Sequence, residues 1–140
     1  MRNLSPTLLV AAFVTVAASS APAVFGAETE PRFTEHPGVV ALSNEGSEWL
    51  YRKFPSSVRL YVHDGDSAGK SACNDSCAFA WPPLFREAGS ATSVGDWAVF
   101  VRDDGREQWA YKGQPVYMRF HDSLQDPMGD KIDGWRFLAP

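Results

Sequence analysis

The chain has 140 residues and a net charge of −4 at neutral pH, from 17 acidic and 13 basic side chains. This acidic balance excludes nucleic acid and anionic membrane surfaces as expected partners, because both require a basic face. The length is typical of one domain with its own hydrophobic core.

Residues 1–27 have the pattern of a secretory signal peptide. A basic residue, Arg2, precedes an apolar run over residues 8–18, and small residues follow. The run is shorter than the about 20 residues that a membrane-spanning helix needs. We expect cleavage within residues 23–27, export to the periplasm or cell exterior, and a flexible leader over residues 28–37. No later apolar run predicts a membrane span, and no cysteine just behind the signal predicts a lipid anchor.

Residues 38–140 predict one mainly β domain built from short antiparallel strands. Runs of β-branched and aromatic residues are separated by glycine-bearing turns such as Asp103-Asp104-Gly105. We expect a hairpin, a strand, a three-stranded meander and a last strand near the C-terminus. The corresponding runs are 38–54, 58–64, 97–102, 107–111, 115–120 and 135–139.

Both cysteines, Cys73 and Cys77, lie just before the segment Trp81-Pro82-Pro83. In an oxidising compartment two cysteines are usually bonded to each other. Zinc would need two more Cys or His ligands at matched spacing, and a redox-active pair is typically Cys-x-x-Cys. We therefore predict a disulfide that fixes one short helical turn in front of Trp81, and the two prolines end that helix.

Two segments of the sequence echo each other. "LYVHDGDSAG" and "VYMRFHDSLQDPMG" both lead from an apolar residue and a tyrosine, through His-Asp, to a glycine-bearing loop, and a tryptophan follows each. Two copies of one strand-and-loop unit around a common core would produce this pattern. The alternative is coincidence, because the spacing from tyrosine to histidine differs between the two segments.

The segments "LYVHDGDSAGKSACNDSCAFAWPPL" and "RDDGREQWAYKGQPVYMRFHDSLQDPMGDKIDGWRF" resemble a bacterial secreted-repeat or predicted-lipoprotein family, which has a Tyr-x-aromatic-x-x-Asp motif. The resemblance covers residues 60–135. It departs from the family at His63, where the motif has an aromatic residue, and in having no lipidation cysteine. The resemblance implies fold and export rather than an activity. The family's loose association with hydrocarbon (alkane) utilisation gives context and no mechanism.

The sequence does not predict an enzyme. It has no nucleophile elbow, phosphate loop or metalloprotease helix. The pairs His63-Asp64 and His121-Asp122 do not predict catalytic dyads, because adjacent side chains on a strand point to opposite faces. The alternative is that a histidine of one segment pairs with an aspartate of the other.

Copper or haem is the metal hypothesis, because thioether and imidazole groups together suit the soft cuprous ion. The candidate ligands are His63, Met118, His121 and Met128. The alternative is that the methionines fill gaps in the core or loops and the histidines are surface polar groups.

Five aspartates cluster in the two glycine loops, at positions 64, 66, 122, 126 and 130. Four of them form a candidate ligand surface, namely Asp64, Asp122, Asp126 and Asp130. Calcium takes oxygen ligands from such loops, although their spacing matches no EF-hand, and solvated acidic loops are the alternative. If the echoing segments are repeats, we expect these loops to emerge at one edge of the sheet, so that their histidines, aspartates and Met128 converge on one surface.

Large aromatic residues beside β-branched or aliphatic neighbours are expected to be buried anchors. These anchors are Tyr61, Trp81, Trp109, Tyr117 and Trp135. The sequence thus predicts an exported, non-catalytic binding or structural module whose partner is a small ligand or an envelope protein. The alternative function is a periplasmic copper or haem protein in metal handling or electron transfer.

Overall fold

The structure is a computed structural model that describes residues 35–123, 125 and 127–140. The predicted signal peptide and residues 28–34 lie outside the described residues. The described part is mainly β, with antiparallel strands in three small sheets, which confirms the predicted fold class. Its strands are β1 (Val40–Glu45), β2 (Glu48–Lys53), β3 (Tyr61–His63), β4 (Ser93–Val94), β5 (Trp97–Val101), β6 (Glu107–Tyr111), β7 (Gln114–Pro115) and β8 (Trp135–Phe137).

A single α-helical turn and a 3₁₀ turn complete the described elements. The α-helical turn, α1, spans Ser76–Ala80, and the 3₁₀ turn spans Gly129–Lys131. The α-helical turn lies where the sequence predicts it, between the cysteines and the two prolines. No helix among residues 35–123, 125 and 127–140 is long and apolar enough to cross a membrane.

The predicted N-terminal hairpin is formed by β1 and β2, which pair from Val40 with Lys53 to Glu45 with Glu48. Gly46 closes the turn at a φ of 80°, a conformation that favours glycine. Tyr51 on β2 is fully buried, and its ring packs edge-on against Trp97 of the meander. The hairpin is therefore attached to the rest of the domain through its aromatic side chain.

The meander is formed by β4, β5, β6 and β7 in that order. The sequence predicts three of these strands and does not predict β4. The last predicted meander strand, over residues 115–120, is wrong beyond Pro115. Only Gln114 and Pro115 pair with β6. The chain then leaves the meander because the backbone of Tyr117 bonds instead to Tyr61, through two N–H···O bonds of 2.9 Å each.

That pair of tyrosines lies at the centre of a narrow antiparallel arrangement. Tyr61 on β3 pairs with Phe137 of β8 on one side and with Tyr117 on the other. Tyr117 in turn pairs with Pro83. The order across this arrangement is Phe137, Tyr61, Tyr117, Pro83, and we call it the tyrosine sheet.

Two clusters of buried side chains form the core. The main cluster joins the N-terminal hairpin to the meander, and its largest members are Tyr51, Trp97 and Trp109. The second cluster lies at the tyrosine sheet and consists of Tyr61, Cys73, Trp81, Tyr117 and Trp135. Pro37, at the end of the predicted leader, is also buried, and its carbonyl accepts a hydrogen bond from the N–H of Val40.

Candidate functional site

The two central tyrosines exchange hydrogen bonds with aspartates from the opposite segment. Tyr61 donates its hydroxyl proton to Oδ2 of Asp122 at 2.5 Å. Tyr117 donates to Oδ2 of Asp66 at 2.7 Å. Sequence reasoning placed Asp66 only among the aspartates of the glycine loops and predicted no tyrosine partner for it, because it compared each histidine with its neighbouring aspartate. The signal that identifies Asp66 is its distance from the tyrosine: each bonded aspartate lies five residues after a tyrosine.

The environment raises the pKa of both tyrosines well above its ordinary value. For Tyr61 burial is the largest cause, and the hydrogen bond to Asp122 adds to it. For Tyr117 burial is again the largest cause; a hydrogen bond from Ser71 opposes it and the carboxylate of Asp66 reinforces it. Burial likewise raises the pKa of Tyr51. All three phenols are therefore neutral donors at any pH near neutrality.

We expect the protein to lose stability as the pH rises above about 10. An unfolded tyrosine releases its proton near pH 10, whereas the folded Tyr61 and Tyr117 keep theirs. Ionisation therefore favours the unfolded state, so the stability from these groups is fully present below about pH 10 and declines above it. Denaturant unfolding across this range measures the decline. Ionisation of Tyr61 or Tyr117 near pH 10 in the folded protein, seen by site-resolved NMR, would contradict the assignment.

A stack of flat side chains crosses the second core cluster. The rings of Trp81 and Trp135 are parallel within 4°, with centroids 3.7 Å apart. The imidazole of His63 stacks on Trp135 at 4.4 Å, and the guanidinium of Arg119 lies 5.6 Å from the ring centroid of Trp81. His63 occupies the motif position where the family has an aromatic residue. Its flat imidazole ring packs against tryptophan as an aromatic ring would.

All five predicted anchors are buried. The two tryptophans of the stack are 6% and 7% exposed, and the other three anchors are at most 1% exposed. They are Tyr61, Trp81, Trp109, Tyr117 and Trp135.

Cys73 and Cys77 form the predicted disulfide, with their Cα atoms 5.1 Å apart. The bond links the segment that precedes α1 to the second residue of the helix. The C-terminal end of α1 is held as well, because the N–H of Phe120, from another segment, donates to the carbonyl of Ala80 at 2.9 Å. The disulfide and this hydrogen bond together fix a helix of only five residues, which would not be stable alone.

Replacing both cysteines with serine should lower the free energy of unfolding by about 2 kcal/mol, because the closed loop is very short. Chemical denaturation of the oxidised protein and of the double variant measures the difference. Free-thiol labelling of the exported protein without reductant should detect no thiol. Stoichiometric labelling of Cys73 and Cys77 would contradict the disulfide.

A buried arginine, Arg102, ties the disulfide loop to the meander. Its side chain is almost fully buried and donates to Oε1 of Gln108 at 2.5 Å and to Oγ of Ser71 at 3.1 Å. It also donates to the carbonyl of Cys73 at 2.8 Å and to Oδ1 of Asn74 at 3.2 Å. Sequence reasoning missed Arg102 because it immediately precedes a polar turn, and nothing in the local pattern distinguishes it from an exposed turn residue.

The predicted metal ligands lie in different surroundings. Met118 packs against the main core, whereas Met128 and His121 are exposed. Tyr61 and Tyr117 are antiparallel partners, so the strands that carry them run in opposite directions. Within the described residues, no group of three or more His, Cys, Asp or Glu side chains is placed to hold a metal ion. The copper or haem site stays a prediction without structural support.

Three of the four residues of the predicted acidic ligand surface are described, and each has its own environment. Asp64 is exposed and pairs with Arg136, and Asp122 is engaged by Tyr61. Asp130 is exposed in the 3₁₀ turn, and Asp126 lies outside the described residues.

Two phenylalanines lie side by side on the surface next to α1. Phe79 on α1 is 70% exposed and Phe120 is 47% exposed, with their ring centroids 5.2 Å apart. The N–H of Phe120 donates to the carbonyl of Ala80 at 2.9 Å, which holds the two segments together. Phe79 also lines a cleft of about 650 Å³, whose other lining residues include Asn74, Asp75, Asp103, Asp104 and Arg106. We call the two rings and this cleft the Phe79–Phe120 face.

Comparison with known proteins identifies one family. No curated protein and no solved structure is detectably similar to the chain. Residues 98–138 match the model of a family described as a secreted repeat of unknown function. This match confirms the family resemblance over the second of the two echoing segments, and the description agrees with export of the protein. Residues 98–138 are therefore similar to this family of secreted repeats.

Proposed function

We propose that the chain is an exported, non-catalytic binding module, and that it binds a basic, apolar segment of another envelope protein through the Phe79–Phe120 face. The observation that carries the proposal is the exposure of two adjacent phenylalanine rings in a domain whose other aromatic side chains are mainly buried. Adjacent exposed aromatic rings are characteristic of interaction surfaces, because covering them removes a large apolar area from water.

The backbone beneath Phe79 is well fixed, which favours binding. The ring stands on α1, whose two ends are held by the disulfide and by the bond from the N–H of Phe120 to the carbonyl of Ala80. A side chain on a fixed backbone loses less conformational entropy when a partner covers it. The short helix and its disulfide thus hold the exposed ring of Phe79 in a fixed position on the surface.

The charges of the cleft indicate a basic partner. Asp75, Asp103 and Asp104 line it. The backbone N–H and the guanidinium of Arg106, with the charge of Arg102, lower the pKa of Asp104, which is therefore ionised at neutral pH. Asp103 pairs with Lys70, but both side chains are more than half exposed. Exposed pairs of this kind contribute little to stability, so a lysine or arginine of a partner can replace Lys70.

The same residues support a non-catalytic role. The cleft is lined by amide, carboxylate, guanidinium and apolar groups, and its lining contains no serine, cysteine or histidine. The aspartates that are held most specifically, Asp66 and Asp122, are engaged by tyrosines in the interior. The hydrogen bonds of these two aspartates therefore stabilise the fold of the described domain.

Photocrosslinking in the native envelope tests this function. A photoreactive phenylalanine analogue at position 79 should give a covalent adduct, and the attached peptide should carry lysine or arginine beside apolar residues. The control is the same analogue at Phe54, which is 57% exposed and follows β2 in a different part of the sequence. Absence of an adduct at position 79, or the same adduct from both positions, would overturn the proposed face.

A further inference from the structure

We propose that residues 40–84 and 98–138 are two copies of one structural unit, and that each copy completes the sheet of the other. The second copy is the segment that matches the secreted-repeat family. The first copy contains the other echoing sequence segment, "LYVHDGDSAG". We call residues 40–84 the first unit and residues 98–138 the second unit.

Backbone hydrogen bonds join each unit to the tyrosine strand of the other unit, and we call this reciprocal pairing the exchange. Trp81 and Trp135 are each followed, three residues later, by a buried leucine, Leu84 and Leu138. In the first unit the N–H of Leu84 donates to the carbonyl of Val116, the residue before Tyr117. In the second unit the N–H of Leu138 donates to the carbonyl of Leu60, the residue before Tyr61. Each leucine segment therefore pairs with the tyrosine strand of the other unit.

The hairpins take part in the same exchange. Both units begin with a hairpin whose turn contains a glycine at positive φ, Gly46 in the first and Gly105 in the second. The carbonyl of Leu84 accepts from the N–H of Trp109 on the second hairpin. The carbonyl of Leu138 accepts from the N–H of Tyr51 on the first hairpin. The four bonds of the two leucines thus join opposite units in a reciprocal pattern.

The side chains repeat the pattern. Tyr61 of the first unit bonds Asp122 of the second, and Tyr117 of the second bonds Asp66 of the first. The remaining oxygen of each aspartate accepts a backbone N–H six residues later in its own unit. These donors are Ala72 for Asp66, at 2.8 Å, and Met128 for Asp122, at 3.2 Å.

In the tryptophan stack, too, residues of one unit contact a tryptophan of the other. Position two after the tyrosine is His63 in the first unit and Arg119 in the second. His63 contacts Trp135 and Arg119 contacts Trp81, so each covers a tryptophan of the other unit. The two tryptophans contact each other between them. The same reciprocal pairing is therefore seen in the backbone, in the tyrosine–aspartate bonds, and in the contacts of the tryptophans and of the position-two residues.

Because the two units pair reciprocally, neither is expected to fold alone. A unit alone lacks the strand that should pair with its tyrosine and the partner for its tyrosine hydroxyl. A sheet edge and a buried polar group left unpaired are both costly. The pair of units, rather than one repeat, is therefore the folding unit, and a mutation in one unit weakens the other.

Double-mutant cycles test the exchange. Tyr61→Phe and Asp122→Ala should be coupled by roughly tenfold or more in the unfolding equilibrium constant, because each variant removes one side of a hydrogen bond to a carboxylate. Tyr117→Phe and Asp66→Ala should show the same coupling. The matched controls are two pairs whose members lie in the same unit, namely Tyr61 with Asp66 in the first unit and Tyr117 with Asp122 in the second. Their coupling should be several-fold smaller. Equal or larger coupling within units would overturn the exchange.

Amide hydrogen exchange of the unmodified protein gives a second test, which does not depend on whether the variants fold. The N–H groups of Leu84 and Leu138 should exchange together, and only through global unfolding, because each belongs to a bond between units. Exchange of either N–H at the rate of an exposed loop would overturn the proposal.

Discussion

Replacing Trp81 with alanine should lower the free energy of unfolding by about 3–5 kcal/mol, the usual range for removing a buried aromatic side chain. The ring is 6% exposed and contacts Trp135 face to face and Tyr61 edge to face. Its removal leaves a cavity at the point where all these rings meet. Such a loss is a large part of the about 5–15 kcal/mol that stabilises a typical domain, so the melting transition should fall markedly.

Phe79→Ala provides the matched control for Trp81→Ala. Phe79 is two residues earlier in the sequence and is 70% exposed, so its removal opens no cavity. We expect Phe79→Ala to change the stability by less than about 1 kcal/mol while it weakens binding at the Phe79–Phe120 face. A comparable loss of stability in both variants, or an unchanged melting transition in Trp81→Ala, would contradict the described core.

Replacing Arg102 with leucine should have the second large effect. The guanidinium satisfies Oε1 of Gln108 and the carbonyl of Cys73 in the interior. Leucine would leave Oε1 of Gln108 without this donor and the carbonyl of Cys73 with only the hydroxyl of Ser71. A buried unpaired acceptor costs roughly 1–3 kcal/mol. Thermal or chemical denaturation of the variant measures the loss. The disulfide loop should also become less ordered, because Asn74 loses its bond to the same guanidinium.

The matched control is Arg106→Leu in the same turn region. Arg106 has a side chain that is 59% exposed and pairs with Asp104 at the surface. Its replacement should change stability little, as is usual for exposed ion pairs. If Arg102→Leu were as mild as Arg106→Leu, the network around Arg102 would not hold the disulfide loop to the meander.

The sequence predicts the local elements well, because short-range physics determines them. The hairpin, the helical turn, the disulfide and strands β5 and β6 of the meander follow from glycine turns, alternation and cysteine spacing. The sequence does not predict β4, and it predicts a last meander strand that extends too far along the chain. Residues after Pro115 have the pattern of a strand, but alternation does not say which neighbour a strand will pair with, and Tyr117 pairs with Tyr61.

The arrangement of the candidate site was harder to predict for the same reason. The echo between the two segments is visible in the sequence, but aligning them on His-Asp gives unequal spacing. Aligning them on tyrosine and the aspartate five residues later gives equal spacing, and the structure uses that spacing. Arg102 and the exposure of Phe79 depend on long-range packing and have no local signal. The Phe79–Phe120 face is therefore a finding of the structure.

The central claim is that the two halves of the described domain complete each other, and cleavage between them tests it most directly. A protease site inserted at Ala88, in the exposed loop between the units, allows the folded protein to be cut there. Both cysteines lie before the cut, so no covalent bond joins the fragments. The account predicts that the two fragments elute together with an intact near-ultraviolet circular dichroism signal. Fragments that separate and each keep their own folded structure would contradict it.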